Sequence, residues 1–392
     1  MAPTNEKVST DVPDDVVFSI LSKLPLKSLN RFSCVRKSWS LLFGKPCFKN
    51  KVYKNMISKC HPYYDGASLL LNHFESTDNE WKLHLLSGER FENKVRLNLP
   101  HPFNRNYGMY DGPHILGSAA INGTLCVYSP RNESNIVLWN PATEQLHHVP
   151  VNRARLFYQY EIHYTIHGFG YDYVRDDYKI ILRVEYIGGL EDYDQGVPSG
   201  PFWDIYSLRN KSWKKLYVNM RKCYMSSAGS AVYLNGVCHW WGKQWRGQSV
   251  RETYVVSFDL HTEVPVMTLL PSDLHDLEGA DRHLTVLNGF VAMISSYQKT
   301  TSAFHISIAI LVEPGVNESW IKIVDLGPFS GMTHPIGVGM KGDIFFKKDD
   351  DELVCFDLTT GVMESIDVKA EIWRAQVVIY KKSILPIKGM DN

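Results

Sequence analysis

The sequence has too few cysteines, and no hydrophobic run long enough, to belong to several specialised classes of protein. Its 392 residues contain seven cysteines, an odd number without any Cys-x-x-Cys spacing, so neither a disulfide framework nor a zinc ribbon is predicted. This cysteine usage fits a reducing compartment, the cytosol or the nucleus. The first residues contain acids and no apolar core, which predicts neither a secretory signal nor a transit peptide. The most apolar later window, Ile306 to Val312, is too short to cross a bilayer, so we expect no membrane partner.

Sequence signatures of catalysis and of cofactor binding are also missing. The chain has no GxxxxGKS/T, GxSxG or HExxH motif. A match to GxGxxG at 337–342 precedes a strand-like run rather than a helix, so these glycines are interpreted as turn residues. The adjacent pairs His147–His148 and Cys238–His239 fall on predicted strands, where neighbouring side chains face opposite sides and cannot readily share one metal or one reaction. We therefore expect a non-enzymatic protein without catalytic residues, cofactor or metal.

No excess of charge of either sign draws the whole chain towards nucleic acid or lipid, because 42 basic residues balance 42 acidic ones. The charge is nevertheless uneven: residues 1–60 carry eleven Lys or Arg and four Asp or Glu, a net charge of +7, so the remainder carries −7. Short helices with basic residues would suit a helix-turn-helix DNA-binding domain. The third predicted helix, however, presents Trp39, Leu41, Leu42 and Phe43 where a recognition helix needs polar side chains, so we expect no nucleic-acid partner.

The N-terminal region does contain the spacing of three short helices. Residues 14–24 repeat apolar side chains at helical intervals behind an acidic start, and Pro25 ends this pattern. The apolar positions are Val16, Val17, Ile20, Leu21 and Leu24 in the first helix, Leu26, Leu29, Phe32 and Val35 in the second, and Trp39, Leu42 and Phe43 in the third. So short a segment cannot bury all of these side chains by itself. It is expected to pack on a partner, either another protein or the β region of its own chain.

From residue 67 onward the sequence changes to short β-prone runs separated by turn residues. One phrase recurs as VLWNPATEQ at 137–145, VSFDLHTEV at 256–264 and VCFDLTTGV at 354–362, with a weaker copy at 204–213. Its Asn or Asp predicts a tight turn between two strands, because the short side chain can accept hydrogen bonds from the turning backbone.

The repeated units have a period of roughly 50 residues, which is in the range of propeller blades. A second turn phrase opens the later units, at Asn122, Asn235, Asn288 and Lys341. About six units can be counted, and the last run, 372–380, could complete the first of them and close a ring. The predicted fold class is therefore α+β, with a small three-helix unit followed by a mostly-β repeat domain, a β-propeller of about six blades. The uneven spacing leaves a β-sandwich as the alternative.

Residues 13–43, PDDVVFSILSKLPLKSLNRFSCVRKSWSLLF, resemble an F-box nearly position for position. Two departures are mild: Val12 stands in place of the usual Leu, and Arg36 stands where the family often has Cys. The resemblance implies that the helices dock on a Skp-type adaptor and, through it, on a cullin. The residues that it implies at the adaptor are Pro13, Ile20, Leu21, Leu24, Pro25, Leu29, Val35 and Trp39. Trp39 could equally support the helices from within.

The β region resembles the F-box-associated domain of plant F-box and F-box/kelch-repeat proteins. The resemblance lies in LWNPAT at 138–143, GFGYD at 168–172 and NGVCHWW at 235–241. It implies a substrate-recognition subunit of an SCF-type (Skp–cullin–F-box) E3 ubiquitin ligase, whose β domain binds a target protein. The expected organisation is an F-box at 11–50, a linker at 51–66, the F-box-associated domain at 67–382 and a tail at 383–392. Neither the target nor its binding residues follow from the sequence.

A glycan-binding or small-molecule-binding propeller, or an enzyme on the same scaffold, is the alternative function. Its site would be a pocket at the central channel. The aromatic residues Trp203, Trp245 and Tyr193 lie in glycine-rich stretches, where exposed rings would serve either a peptide or a glycan. We expect most of the three to fill the blades instead, and the sequence does not show which.

Overall fold

The computed structural model describes residues 12–24, 26–45, 47–48, 51–52, 55, 66–88, 90–104, 107–108, 111–129, 132–152, 160–188, 200–218, 220, 231–246, 249–275, 277, 280–300, 303–370, 375–387 and 389. The chain divides into two units, Met1–Lys59 and Cys60–Asn392. The first is helical and the second is made of strands. No helix in the described residues is long and apolar enough to span a membrane.

The first unit contains the three helices that the sequence predicts: α1 (Asp14–Leu21), α2 (Leu26–Phe32) and α3 (Lys37–Gly44). Two acids in the first turn of α1 suit the positive end of the helix dipole. α1 ends at Leu21 rather than at Leu24, because the backbone tightens there: the amides of Lys23 and Leu24 bond to carbonyls three residues back. A residue that precedes proline also disfavours the helical conformation, which explains the early end.

This helical unit has an interior of its own. Leu21, Leu29, Phe48 and Val52 are buried, and the Phe48 ring lies 5.3 Å from that of Phe18, centroid to centroid. The helical unit therefore has a small hydrophobic core of its own, formed without a partner.

The second unit consists of six four-stranded antiparallel sheets. Its strands are β1 (Ser68–Glu75), β2 (Glu80–Ser87), β3 (Asn93–Leu97), β4 (His114–Ile115), β5 (Leu125–Ser129), β6 (Asn132–Asn140), β7 (Gln145–Val149), β8 (Tyr160–Asp172), β9 (Asp177–Gly188), β10 (Phe202–Ser207), β11 (Ser212–Leu216), β12 (Ala231–Leu234), β13 (Val237–Arg246), β14 (Ser249–Asp259), β15 (Val264–Leu269), β16 (Asp281–Leu287), β17 (Phe290–Thr300), β18 (Ala303–Leu311), β19 (Trp320–Phe329), β20 (Met332–Val338), β21 (Ile344–Lys348), β22 (Glu352–Phe356), β23 (Met363–Lys369) and β24 (Gln376–Tyr380). A short helix, α4 (Ser272–His275), and a 3-10 turn, Asn317–Ser319, lie between strands.

The six sheets are the blades of a propeller. The first blade has the order β24-β1-β2-β3, and each later blade uses four consecutive strands. Neighbouring blades contact one another through the inner strands, and blades two and three through β6 and β8. β24 pairs with β1 from Ser68 opposite Tyr380 to Asn72 opposite Gln376, so the last strand completes the first blade, as predicted. The β-sandwich alternative is wrong, because the strands form six separate sheets in a ring rather than two stacked sheets.

The recurring phrase of the sequence is the turn between the third and fourth strands of a blade. In blade four the Asp259 carboxylate accepts hydrogen bonds from the amides of His261 and Thr262, at 2.8 and 2.7 Å. Asp357 does the same in blade six, and the Asn140 side-chain oxygen accepts from Ala142 in blade two. The predicted turn, in which an Asn or Asp side chain accepts hydrogen bonds from the backbone, is confirmed in all three copies.

The turns are gathered at one end of the ring, because strand direction alternates within each blade. The turns after the first and third strands of each blade lie at this end. We call it the turn end; it comprises the turns 90–92, 121–124, 140–145, 173–176, 207–211, 235–236, 259–263, 288–289, 313–319, 339–343 and 357–361, together with the segment 381–387. The remaining connections leave from the opposite end.

Candidate interaction surfaces

The helical unit keeps an apolar surface on its outside. On α1, Val16 and Ile20 are one helical turn apart and are 40% and 55% exposed. Val12, just before the helix, is also exposed, as are Val35 and Leu41. Exposed aliphatic side chains in so small a unit are typical of a surface that another protein covers.

The residues implied at the adaptor divide between this surface and the interior. Pro13, Ile20 and Val35 are exposed, whereas Leu21 and Leu29 are buried inside the helical unit. Leu24 and Trp39 are half-buried, and the Trp39 ring packs edge-on against Phe32 at 5.9 Å. Pro25 lies outside the described residues. Leu21 and Leu29 therefore hold the helices together, and adaptor contact stays a prediction for the whole set.

The GFGYD motif forms the seam between blades three and four. A Cβ atom on Gly168 would lie 2.9 Å from the Cβ of Cys238, and one on Gly170 would lie 2.5 Å from Leu260 Cδ1. The two glycines thus let the inner strand β8 approach the next blade closely. Glycines two residues apart on a predicted strand are the signal that could have revealed this role, because they lie on the same face.

The Asp172 carboxylate at the end of this motif anchors an ion-pair network across the same seam. The buried Lys179 ammonium lies 3.0 Å from Asp172 and donates to the Leu260 carbonyl of blade four at 2.7 Å. Glu263 lies 3.5 Å from the same ammonium and accepts from Lys214 at 2.7 Å. Burial alone would raise the pKa of Asp172, but hydrogen bonds from Lys179 and the Arg175 amide hold it below its usual value. The network joins blades and offers no unoccupied ligand position.

A small cavity opens at the turn end, in the central channel. It has a volume of about 70 Å³. Its lining is mainly apolar and comes from the inner parts of blades two to five, with Ile121, Phe169, Val232 and Val286 as representatives and Tyr173 at the mouth. This volume is about half of the ~150 Å³ cavity that holds a benzene molecule in an engineered protein. The space suits one side chain rather than a cofactor.

The C-terminal segment lies against the turns of blade two. The buried Asn140 amide donates to the carbonyls of Ser383 and Leu385, at 3.0 and 3.2 Å. The Gln145 side chain accepts from the Ile387 amide at 2.7 Å, and the Ile387 side chain is buried in the core. Residues 383–387, expected to belong to a tail, are thus bound to the propeller.

Of the aromatic residues considered for ligand binding, Trp203 fills the propeller rather than lying at its surface. Its ring is buried, 4.7 Å from His167 and 5.8 Å from Trp240, which is the blade-filling interpretation of this residue. The side chain of Trp245 and all of Tyr193 lie outside the described residues. Trp203 joins blades three and four because the stacked rings fill the space between them.

The histidines and cysteines singled out in the sequence are structural. His239 is buried with its Nδ1 2.8 Å from Ser257 Oγ, and burial lowers its pKa to about 3. Burial raises the pKa of the Cys238 thiol. His147 contacts the Tyr206 hydroxyl at 2.9 Å, and His148 is exposed. Within the described ranges, no three side chains of the metal-binding types come together.

Comparison with known proteins agrees with this architecture. Residues 109–384 match the family described as "F-box associated beta propeller domain", and residues 10–51 match the "F-box domain". The chain belongs to the F-box-associated β-propeller family, and it is an F-box protein with a six-bladed propeller.

Its relatives are F-box proteins of Arabidopsis thaliana. "F-box protein CPR1" is 22% identical over 97% of this chain and 90% of its own length. "F-box protein At1g11270" is 26% identical over 64% of this chain and 73% of its own length. A solved structure, "Structure of Dos1 propeller", aligns with 77% of this chain and 68% of its own at 13% identity and a TM-score of 0.31.

Proposed function

We propose that this F-box protein is the substrate-recognition subunit of an SCF-type E3 ubiquitin ligase. In this proposal the helical unit binds a Skp-type adaptor and through it a cullin, while the propeller binds a target protein. The chain itself transfers no ubiquitin and acts as a non-catalytic receptor. Its place of action is the cytosol or the nucleus, which suits the free thiols of Cys34, Cys47 and Cys126.

The observation that carries the proposal is the exposed apolar surface of the helical unit. Val16 and Ile20 form a stripe along α1, and Val35 adds a third aliphatic side chain. Burial of such side chains against adaptor helices would contribute about 1.5–3 kcal/mol each if complete. The excess of basic residues in the first 60 positions suits an acidic protein surface, where it would speed association more than it would raise affinity.

The test replaces one exposed residue of this stripe. Ile20→Asp places a carboxylate at the centre of the surface, and the full chain is assayed for co-purification with a recombinant Skp-type adaptor. We expect at least a tenfold loss of binding, which corresponds to about 1.4 kcal/mol. Leu21→Asp would be a poor choice, because Leu21 is 3% exposed and the change would disrupt the helical unit itself.

Ser19→Asp is the matched control, since Ser19 is exposed on the same helix and receives the same charge. Adaptor binding should survive in this variant. Equal binding by the parent chain and Ile20→Asp, or no binding by the parent chain, would contradict the proposal. The glycan-binding alternative is not favoured, because Trp203, on which it partly rested, is buried.

A further inference from the structure

An exposed apolar patch surrounds the mouth of the central cavity at the turn end. Tyr173 and Val174, in the first turn of blade three, are 57% and 70% exposed. Ile384 and Leu385, in the C-terminal segment, are 78% and 62% exposed. Large apolar side chains held in fixed positions at a surface mark a binding site more often than chance exposure does.

The two halves of the patch are joined by direct contacts. The Tyr173 ring packs on Tyr171 with centroids 5.0 Å apart, and Tyr171 packs on Tyr178 at 4.8 Å. The Tyr178 hydroxyl lies 3.1 Å from Thr124 Oγ1, and a Cβ atom on the adjacent Gly123 would lie 2.5 Å from Ser383 Cβ. Tyr171, Tyr178 and Thr124 are buried, so these contacts run through the interior. Ser383 begins the segment that carries Ile384 and Leu385, and both exposed groups are thereby held at the same end of the ring.

Around this patch the charge is basic. The turns of blades two and three and the segment 381–387 carry five exposed basic residues and two exposed acidic ones. The basic residues are Arg175, Arg209, Lys211, Lys381 and Lys382, and the acidic ones are Glu144 and Asp176. The Arg175 guanidinium already pairs with the buried Asp172 carboxylate at 3.3 Å, so the excess rests mainly on the other four. The chain beyond residue 60 has a net charge of −7, so this local excess of positive charge runs against the rest of the unit.

We propose that this end of the propeller binds a peptide segment of the target protein, in which one apolar side chain enters the central cavity and flanking carboxylates lie against the basic turns. The cavity is large enough for a single side chain, and the apolar patch beside it covers the residues on either side. The basic residues attract acidic segments and repel basic ones, which supplies selectivity. That the peptide comes from a ubiquitination target rests on the proposed function; the peptide site itself does not.

The probe is an immobilised array of short peptides, each with one Val, Leu, Ile or Met between Asp or Glu residues. A second array carries Lys or Arg in the flanks, and a third has Ser in place of the apolar residue. The purified full chain should bind spots on the first array only. Failure to bind any acidic peptide, or equal binding to the basic array, would overturn the proposal.

Variants then locate the site by fluorescence anisotropy with the best acidic peptide. Tyr173→Ala and Leu385→Asp should each weaken binding by about tenfold or more. Tyr217→Ala, at a tyrosine that is 92% exposed beyond β11 at the opposite end, should leave binding unchanged. Lys382→Glu should weaken binding, whereas Lys369→Glu, at the opposite end, should not. Equal effects in the paired variants would refute the site.

The same preparations separate this proposal from the proposed function. Adaptor co-purification should be retained in Tyr173→Ala and Leu385→Asp, and urea midpoints by tryptophan fluorescence that equal those of the parent chain would show that their propellers fold. Peptide binding that survives in Ile20→Asp, when adaptor binding is lost, would confirm two independent surfaces. If an apolar fluorescent dye binds at the cavity in a Tyr173-dependent way and no acidic peptide displaces it, the occupant is a small molecule and the peptide proposal fails.

Discussion

Single glycines decide how closely two blades of this propeller approach. At Gly170 a methyl group would meet Leu260 at 2.5 Å and the Tyr233 ring at 2.6 Å, both on the neighbouring blade. The Tyr233 hydroxyl donates to the Tyr171 carbonyl at 2.6 Å, which fixes that ring in place. The two glycines of the GFGYD motif therefore serve the packing between blades.

Gly170→Ala should lower the free energy of unfolding of the propeller by about 1–3 kcal/mol, because the added methyl overpacks the seam. The measurement is the urea midpoint of the full chain followed by tryptophan fluorescence. Gly200→Ala provides the comparison, since nothing lies within 4 Å of a Cβ atom there. Equal midpoints for the two variants would show that the seam relaxes around the added methyl group and that the close contact does not affect the free energy of unfolding.

A half-buried carboxyl in blade six, that of Asp343, makes the stability of the propeller depend on pH. Burial, and then the neighbouring Asp357 carboxylate, raise the pKa of Asp343 to about 6 from a usual value of 3.8. The folded state therefore binds this proton more tightly than the unfolded state. Its contribution to stability is present below pH 4 and is lost as the pH rises to about 6.

Asp343→Asn removes this titration, so the variant should gain stability relative to the parent chain between pH 4 and pH 7. After solvent screening the gain should be on the order of 1 kcal/mol. Urea midpoints at several pH values measure it. Asp349→Asn, in an exposed turn of the same blade, should show no such pH-dependent difference. A constant offset between Asp343→Asn and the parent chain across this range would argue against the raised pKa.

At the scale of elements, turns at equivalent positions in different blades make different additional contacts. Asn140 and Asp259 occupy equivalent turns and accept the same kind of backbone hydrogen bond. Only the Asn140 amide has a second use, because it donates to two carbonyls of the C-terminal segment. Aspartate at this position could not donate these bonds.

Asn140→Ala should release the segment 383–387 while the blades stay folded. Hydrogen exchange of the Ile387 amide should accelerate by about tenfold or more, because the segment opens more often. Asp259→Ala should loosen its own turn and leave exchange in 383–387 unchanged. Unchanged protection in Asn140→Ala would mean that the buried Ile387 side chain holds the segment without help.

The elements themselves were accessible from the sequence, whereas their contacts across the chain were not. The spacing of apolar residues, the repeat length and the turn residues can all be recognised within short stretches of sequence. They therefore predict three helices, about six blades and the turns at Asn140 and Asp357. Exposure depends on distant residues: Leu21 faces inward because Phe48 and Val52 complete an interior that helical spacing alone does not show. The spacing of Gly168 and Gly170 on one strand is a local signal for the close seam, whereas the bound C-terminal segment has no such signal.

At the scale of the whole molecule, the propeller unit should fold without the helical unit, because the two are separate compact units. Residues 60–392 should show the same thermal midpoint as the propeller of the full chain by circular dichroism. Residues 60–370 lack β24 and should not fold cooperatively, since β1 loses its partner and the ring loses an inner strand. Cooperative melting of the shorter fragment would mean that five blades and a three-stranded sheet suffice.

The closure of the ring by β24 also dictates the order of events during synthesis. Ser68 pairs with Tyr380, more than 300 residues later, so the first blade waits at the ribosome with an open edge until nearly the whole chain has emerged. The helical unit, made first and from local contacts, is complete long before. A chain that terminates early therefore carries a finished helical unit beside an unfinished propeller, a species with an open strand edge that chaperones and proteases must remove.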